Sequence, residues 1–291
     1  MRVGVLANVN RPGMQGALAT IQSWGNSDGH EIYYDDILAR YCPDGPRLLP
    51  QGELSAEVDM MLALGGDGTL LRAARITFPL TIPILGINLG SLGFLTEITP
   101  GELCSILPRL TRGEFVRERR AVLALQKERT EEPSYAVNEV TVDRGREHRA
   151  VEIKLEADGR LVCRYVADGL IIATPTGSTA YALSAGGPVA VPQLRALVVT
   201  PVAPHTLALR PMVFPDDVVL RVTSEEPNVE VAVTMDGQRT AGLCYGETCT
   251  VRRAEFDLEL VRFPERDFYN LVRTKLHWGV DPRHGHRDGV V

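Results

Sequence analysis

Apolar residues in the first third of the chain form short runs that alternate with stretches of helical periodicity. The run at 58–64 is apolar apart from Asp59, which predicts a buried strand, and Leu70, Leu71 and Ala74 share one face of a predicted helix. The same criteria predict strands at 2–7, 31–34, 58–64 and 82–87, and helices at 16–24, 70–76 and 101–110. Alternation of this kind is typical of a mostly parallel, Rossmann-like sheet covered by helices.

Short β-rich segments separated by turn residues replace this pattern after about residue 115. They lie at 122–126, 136–142, 151–156, 161–166, 170–174, 197–200, 218–222, 229–235 and 258–260. Such a series predicts an all-β domain of sandwich type. Helical periodicity returns at 268–278.

The predicted organisation therefore has two domains and a returning helix. We predict an α/β domain over 1–115, a β-rich domain over 116–262, a C-terminal helix within 263–280 that packs on the first domain, and a flexible tail over 281–291. A length of 291 residues suits two cores better than one. Residues 42–57 are rich in Pro and Gly, which predicts a surface loop.

Charge and cysteine content narrow the function classes. The net charge is −6, from 31 basic and 37 acidic residues, which is unfavourable for binding nucleic acid or an anionic membrane. We therefore interpret Arg117, Arg119 and Arg120 as a solvated face rather than a binding stripe. Five cysteines without metal-ligand spacing, and an N-terminus that does not resemble a secretion signal, predict a cytoplasmic protein with reduced thiols.

The segment Gly65-Gly66-Asp67-Gly68-Thr69 stands where a predicted strand leads into a predicted helix. Glycines at such a turn let a phosphate approach the N–H groups of the helix N-terminus. A carboxylate there would repel phosphate unless it binds a metal ion or accepts a proton from an attacking hydroxyl, and both roles belong to phosphoryl transfer. A tight turn with an Asx hydrogen bond is the simpler alternative. The chain has neither a P-loop nor a Rossmann glycine fingerprint.

Small residues and hydroxyls dominate the stretch at 175–188, which follows a predicted strand that begins beside Asp168. Ser178 or Thr179 would cap a short helix in a purely structural interpretation. The number of small residues favours instead a wall against which a ligand packs closely, with Tyr181 on a ring of that ligand.

These residues together resemble the NAD kinase family (ATP/polyphosphate-dependent NAD kinases) in order and spacing. The resemblance covers most of the chain and is carried by the segments 65–69, 88–95, 138–139, 168–188, 204–207, 210–211 and 236–238. The stretch 168–188 is its most specific part, since other kinase families carry versions of Gly-Gly-Asp-Gly. It implies transfer of the terminal phosphoryl group of ATP to the 2′-hydroxyl of the adenosine ribose of NAD, giving NADP; some members also accept polyphosphate.

The resemblance also implies roles for individual residues. Asp67 would be the catalytic proton acceptor, and the expected NAD contacts are Asp67, Gly68, Asn138, Glu139, Arg149, Asp168, Thr179, Ala180, Tyr181, Ala182, Leu183, Ser184 and Gln238. Asn138 and Glu139 would bind the ribose hydroxyls, and Asp168 would lie near the nicotinamide end. The donor phosphates would lie against Gly65, Gly66, Gly68, Thr69 and Arg72. No residue is assigned as a protein metal ligand.

The expected cofactors and partners follow from the same comparison. They are Mg²⁺ or another divalent cation, ATP as donor and NAD as acceptor, with no nucleic acid and no membrane; the family is commonly a homo-oligomer, a dimer or tetramer. Two alternatives stay open from the sequence. A lipid kinase of the diacylglycerol or sphingosine type would share the glycine-aspartate element, and a non-catalytic dinucleotide sensor would share the binding wall.

Overall fold

The structure is a computed structural model that describes residues 1–42, 47–91, 93–128, 132–145, 149–227 and 229–278. In chain order its elements are β1 (Arg2–Ala7), α1 (Met14–Asp28), β2 (Glu31–Asp35), β3 (Arg47–Leu49), α2 (Gln51–Glu57), β4 (Met60–Gly65), α3 (Asp67–Thr77), β5 (Ile84–Asn88), α4 (Leu103–Thr111), β6 (Val116–Lys127), β7 (Ser134–Ala136), β8 (Glu139–Asp143), β9 (Val151–Ala157), β10 (Arg160–Ala167), β11 (Gly169–Ala173), α5 (Tyr181–Ser184), β12 (Ala196–Val202), β13 (Met212–Pro215), β14 (Leu220–Ser224), β15 (Val231–Met235), β16 (Gln238–Leu243), β17 (Thr248–Arg262) and α6 (Phe268–Leu276). Short 3₁₀ turns lie at Asp36–Tyr41, Pro100–Glu102 and Gly177–Thr179.

The chain divides into two compact units. Unit 1 comprises residues 1–73, 83–118 and 260–291, and unit 2 comprises 74–82 and 119–259. Helix α3 passes from unit 1 to unit 2 after Ala73, and β17 passes from unit 2 to unit 1 after Glu259. Helix α6 belongs to unit 1, as the sequence predicts. The predicted tail at 281–291 lies outside the described residues.

Unit 1 is built on a parallel sheet in the order β5-β4-β1-β2-β3, and Leu260 of β17 adds a parallel pairing to Ile84 of β5. Strand β4 is buried along its whole length because helices cover both faces of such a sheet. The core joins apolar side chains of α1 and α4 to the strands, among them Met14, Ile21 and Leu107. The predicted parallel α/β fold is confirmed.

The surface loop predicted for 42–57 is wrong over the described part of that range. Residues 47–49 form β3, which extends the sheet beside β2, and 51–57 form α2. Leu54 of α2 is fully buried. Pro50 does not interrupt a helix, because it lies immediately before α2 begins, a place where proline is tolerated. Among the described residues, Pro50 and Gly52 lie at the start of α2 and do not prevent the helix.

Unit 2 is the predicted β-sandwich. One sheet has the antiparallel order β13-β12-β11-β8-β15-β16, and β10-β9-β14-β17 form an antiparallel run in the other. Side chains from both sheets make one apolar core, for example Ile172 and Val199 from the first and Leu155 and Val222 from the second. Within the described ranges, no helix is both long and apolar enough to cross a membrane.

The solvated-face interpretation of the arginine cluster is wrong for Arg120. Strand β6 begins at Val116, so the cluster lies in a strand, where successive side chains point to opposite faces. Arg120 is 4% exposed, and its guanidinium donates to the hydroxyl of Thr176 at 3.3 Å. Arg119, on the other face, is solvated and pairs with Glu259. The alternation of side chains along β6 therefore places Arg119 and Arg120 on opposite faces, one exposed and one buried.

Candidate functional site

The glycine-aspartate turn joins β4 to α3 at the carboxyl edge of the parallel sheet, with Asp67 as the first helical residue. A Cβ on Gly65 would lie 2.0 Å from the hydroxyl oxygen of Thr69, so this position requires glycine for packing. Gly66 and Gly68 differ, because a Cβ on either would meet no protein atom within 4 Å. Their missing side chains leave space above the helix N-terminus, where N–H groups favour an anion.

The carboxylate of Asp67 is held by three consecutive backbone amides. Its Oδ2 accepts from the N–H of Phe94 at 2.8 Å, and its Oδ1 accepts from Leu95 at 3.0 Å and Thr96 at 3.2 Å. A carboxylate offers about four lone-pair sites, so one site on Oδ2 remains for a hydroxyl. Gly93 makes this approach possible, since a Cβ there would lie 2.0 Å from Oδ1 of Asp67.

A cleft of about 460 Å³ opens beside this turn within unit 1. Its lining includes 65–69 and three basic side chains, Arg11, Arg72 and Lys275. Arg72 is anchored by a 2.8 Å hydrogen bond from its Nη2 to the carbonyl of Ala7, and it lies 3.8 Å from the fully buried carboxylate of Asp35. Three cations beside the N-terminus of α3 make the cleft electrostatically favourable for an anion.

The cleft offers one carboxylate that could contribute to binding a divalent cation. Among its lining residues Asp67 is the only acidic one, and the described part of the chain holds no cluster of three or more His, Cys, Asp or Glu that would cage a metal. Mg²⁺ usually keeps waters and needs only one or two carboxylates when phosphates supply the other ligands.

A second polar cluster lies in unit 2, where β8 begins and the β15–β16 hairpin turns. Asp236 accepts from the backbone N–H groups of Val137 (3.0 Å), Asn138 (2.7 Å) and Glu139 (3.3 Å). Asp236 has φ 45° and Gly237 has φ 74°, as a two-residue Asp-Gly hairpin turn requires. One turn carboxylate thus holds the backbone of the Asn138-Glu139 pair.

Among the acidic residues of this cluster, Glu139 has the most strongly shifted pKa. Its side chain is buried, and its Oε2 has no hydrogen-bond partner among the described residues. Burial, followed by the charge of Asp236, raises the pKa of Glu139 to about 7, against a smaller opposing effect of the Tyr181 N–H, which donates to its carboxylate. Burial also raises the pKa of Asp236, opposed by the three amides. A buried acid with an unused oxygen is a candidate ligand contact.

The hydroxyl-rich stretch packs directly on this pair. A Cβ on Gly177 would lie 2.0 Å from the carbonyl oxygen of Asn138, so the two backbones approach as closely as glycine allows. Ser178 does not cap a helix, because its hydroxyl donates to the carbonyl of Pro175 at 2.6 Å and accepts from the N–H of Ala190 at 2.9 Å. Thr179 donates to the carbonyl of Thr176 at 3.1 Å. The capping interpretation is therefore wrong.

Tyr181 presents its ring to solvent beside the cluster. It is 46% exposed, which excludes a role in the core of unit 2. Within 179–184, Ala182 is buried and contributes to a small apolar cluster with Ile171 and Val198. Gln238 follows Asp236-Gly237 and accepts a hydrogen bond from Arg75. The structure thus brings Asn138, Glu139, Tyr181 and Gln238 to one edge of unit 2.

Two predicted NAD contacts lie elsewhere in unit 2. Asp168 precedes β11 and pairs with Arg144 at 3.1 Å, whereas Glu139 pairs with Ala173 at the other end of β11. Five strand residues separate these ends by about 17 Å. Arg149 lies in the connection after β8, again at the end away from Glu139, and is exposed. Asp168 and Arg149 therefore do not join the Glu139 cluster within unit 2.

Comparisons with known proteins identify the family of this chain. The family models described as ATP-NAD kinase N-terminal domain and ATP-NAD kinase C-terminal domain match residues 49–115 and 137–263. An NAD kinase of Gemmatimonas aurantiaca is 42% identical over 283 residues, which cover 96% of each chain. The chain belongs to the NAD kinase family.

A further relative and two solved structures are similar to this chain. An NAD kinase of Syntrophotalea carbinolica is 38% identical over 281 residues, covering 96% of this chain and 99% of that one. The crystal structure of an Archaeoglobus fulgidus NAD kinase in complex with ATP is 27% identical, with a TM-score of 0.75, and the match covers 95% and 99% of the two chains. Yeast NADH kinase complexed with NADH shares the fold at 23% identity and a TM-score of 0.88, over 97% and 89%.

The structure places four residues at or beside the candidate sites that the sequence patterns did not assign to them. Asp236 had a signal, because Asp-Gly between two β-rich runs predicts a hairpin turn. Arg11 also had one, since it follows β1 and ligands bind at the carboxyl ends of parallel strands. Lys275 and Arg75 had none, because only the fold brings them near the cleft of unit 1 and the hairpin of unit 2.

Proposed function

We propose that this chain transfers the terminal phosphoryl group of ATP to the 2′-hydroxyl of the adenosine ribose of NAD, producing NADP and ADP. The observation that carries the proposal is the Asp67 carboxylate, which three amides orient and which keeps one acceptor site in a cationic cleft. Membership of the NAD kinase family supports it. Membership of this family does not favour the two alternatives, a lipid kinase and a non-catalytic dinucleotide sensor.

The donor phosphates bind in the cleft of unit 1. The cations Arg11, Arg72 and Lys275 offset their negative charge, the hydroxyl of Thr69 is a further contact, and the missing side chains of Gly66 and Gly68 leave room for them at the N-terminus of α3. A divalent cation such as Mg²⁺, carried by the phosphates, supplies further charge neutralisation when bound. None of these phosphate contacts requires a nucleoside. Polyphosphate as phosphoryl donor therefore stays a prediction, and the coupled assay described below tests it.

Asp67 acts as the general base. A ribose hydroxyl is a poor nucleophile near neutral pH, and a carboxylate within hydrogen-bond reach accepts its proton as the new O–P bond forms and the bond to ADP breaks. Such proton transfer contributes about 10²–10⁴-fold to a rate. Oδ2 performs this step, because Oδ1 already accepts two amides while Oδ2 accepts one.

The acceptor NAD binds to unit 2. Asn138 and the carboxylate of Glu139 hold the ribose hydroxyls, which selects the 2′-oxygen over the 3′-oxygen by position. Tyr181 packs on a ring of the dinucleotide, with 179–184 and Gln238 as further contacts. Asp168 lies about 17 Å along the sheet from Glu139, and Arg149 follows β8 at the same end as Asp168. Both therefore contact a different part of NAD, and for Asp168 this part is the nicotinamide end.

The test is a coupled assay. Purified protein is incubated with NAD, ATP and Mg²⁺, and NADP is detected with an NADP-specific dehydrogenase; parallel reactions omit ATP, replace it with polyphosphate or include EDTA. We expect NADP only with NAD, a phosphoryl donor and free divalent cation. Failure to form NADP with any donor or cation, while NAD binds by calorimetry, would favour a sensor. Phosphorylation of diacylglycerol or sphingosine vesicles instead would favour a lipid kinase.

Assembly and location stay predictions. A homo-oligomer, dimer or tetramer, is expected to show a mass in multi-angle light scattering of two or four times the 31.9 kDa chain. The cytoplasmic location rests on the sequence alone, and fractionation of cells that express the protein tests it.

A further inference from the structure

A largely buried arginine lies behind the loop that holds Asp67. The guanidinium of Arg262, at the end of β17, is 14% exposed. Its Nε donates to Glu118 at 2.9 Å, and its Nη1 donates to Glu97 at 2.6 Å. Glu97 is itself almost fully buried and also accepts the N–H of Phe263 at 2.8 Å. Two carboxylates therefore fix the orientation of this guanidinium.

The remaining donors of Arg262 point at the Asp67 loop. Nη2 donates to the carbonyl of Phe94 at 3.3 Å, and Nη1 donates to the carbonyl of Thr96 at 3.5 Å. Phe94 and Thr96 are two of the three residues whose N–H groups hold Asp67. The same short peptide segment is thus bound on its carbonyl side by Arg262 and on its amide side by the carboxylate. All these residues belong to unit 1.

We propose that Arg262 is a positioning residue for the catalytic base, acting through the carbonyls of Phe94 and Thr96 to orient the amides that hold Asp67. This inference rests on the proposed function of Asp67. It assigns a positioning role to the end of β17. This segment lies outside both the glycine-aspartate motif at 65–69 and the loop at 94–96.

The physical reason lies in the geometry of the guanidinium. Its planar fork presents five donors in fixed directions, so it serves two carboxylates and two carbonyls at once, which a lysine ammonium with three donors does not. Without the guanidinium, the carbonyls of Phe94 and Thr96 lose a hydrogen-bond donor that they share. Asp67 then moves together with the amides from which it accepts hydrogen bonds. Displacement of a catalytic group by about 1 Å costs on the order of 10²-fold in rate.

The experiment compares Arg262→Lys, Arg262→Ala and a matched control. Arg109→Lys is the control, because Arg109 also belongs to unit 1, pairs with Glu265 at 3.1 Å and lies over the Phe263 ring, with no bond to the Asp67 loop. We expect Arg262→Lys to lower kcat at least about tenfold while the KM for NAD changes less than about twofold. The control is expected to keep kcat within about twofold.

Chemical rescue separates positioning from packing. Guanidinium chloride at tens of millimolar is expected to restore part of kcat in Arg262→Ala, whereas the same concentration of ammonium chloride does not. If Arg262→Ala does not fold, Arg262→Lys decides alone. A folded Arg262→Lys with normal kcat would overturn the inference, as would a uniform rise of both KM values with unchanged kcat.

The wild-type reaction distinguishes this inference from the proposed function. Absence of NADP formation by wild-type protein overturns the function and the inference together. Normal wild-type turnover with an unaffected Arg262→Lys overturns the inference alone.

Discussion

Replacement of Glu139 by glutamine is expected to move stability and function in opposite directions. Glu139 is buried beside Asp236, and its pKa is raised from 4.5 to about 7, first by burial and then by that neighbouring charge. Glutamine keeps the shape and the acceptor for the Tyr181 N–H, but it carries no charge at any pH. The substitution therefore removes one titration from the folded state and leaves the packing in place.

The sign of the stability change follows from the direction of this pKa shift. An acid whose pKa is raised by folding favours the folded state below its unfolded pKa, and this contribution is lost as pH rises through the folded pKa. From pH 5 to pH 8 the wild-type protein therefore loses about 2–3 kcal/mol of unfolding free energy at this site. Glu139→Gln escapes that loss, so its stability relative to wild type increases by the same amount between the two pH values.

Binding is expected to change the other way. A carboxylate accepts ribose hydroxyls through charge-assisted bonds, which are stronger than bonds to an amide by about 1 kcal/mol or more. NAD affinity should fall several-fold to tenfold in Glu139→Gln, and kcat should fall with it. Wild-type NAD affinity should also weaken below about pH 7, where Glu139 becomes protonated. The variant should lack that pH dependence.

The assay combines urea unfolding at pH 5 and pH 8 with NAD titration by calorimetry over the same range. Glu128→Gln is the matched control, because Glu128 is also in unit 2 but is 55% exposed and pairs with Arg221 at the surface. Equal stability differences between Glu139→Gln and wild type at both pH values would refute the reasoning from burial. Unchanged NAD affinity and turnover would place Glu139 outside the acceptor site.

Three further predictions concern neighbouring parts of the two sites. Asp67→Asn should lower NADP formation about 10²–10⁴-fold in single-turnover kinetics while circular dichroism stays native, and near-normal turnover would exclude the base. Gly93→Ala would place a Cβ 2.0 Å from Oδ1 of Asp67 and should lower kcat at least about 10²-fold, whereas Gly52→Ala, which meets no atom within 4 Å, should not. Tyr181→Ala, at a side chain 46% exposed, should raise the KM for NAD several-fold with unchanged Tm and KM for ATP. A large loss of Tm with unchanged KM for NAD would show that Tyr181 acts in packing.

The sequence alone determined the architecture of both units, because that information is local. Buried strands such as 58–64 are continuous apolar runs, and the change to short β-rich segments after residue 115 separates the parallel sheet from the sandwich. The Gly-Gly-Asp-Gly turn was also readable, since glycine at a strand-to-helix junction has a local steric reason. The loop predicted at 42–57 is wrong over the described part of that range, because Pro50 and Gly52 lie at the start of α2 and do not prevent the helix.

Only the tertiary structure decided which residues bind and orient Asp67 and the Asn138-Glu139 pair. The amides of Phe94, Leu95 and Thr96 lie 27 to 29 residues from Asp67, and Arg262 lies a further 166 residues or more beyond Thr96 and Phe94. Asp236 lies 97 to 99 residues from the amides it binds. No periodicity or spacing encodes such contacts, because they arise when strands distant in sequence become neighbours in a sheet. The raised pKa of Glu139 has the same origin, since burial and a neighbouring charge exist only after the chain has folded.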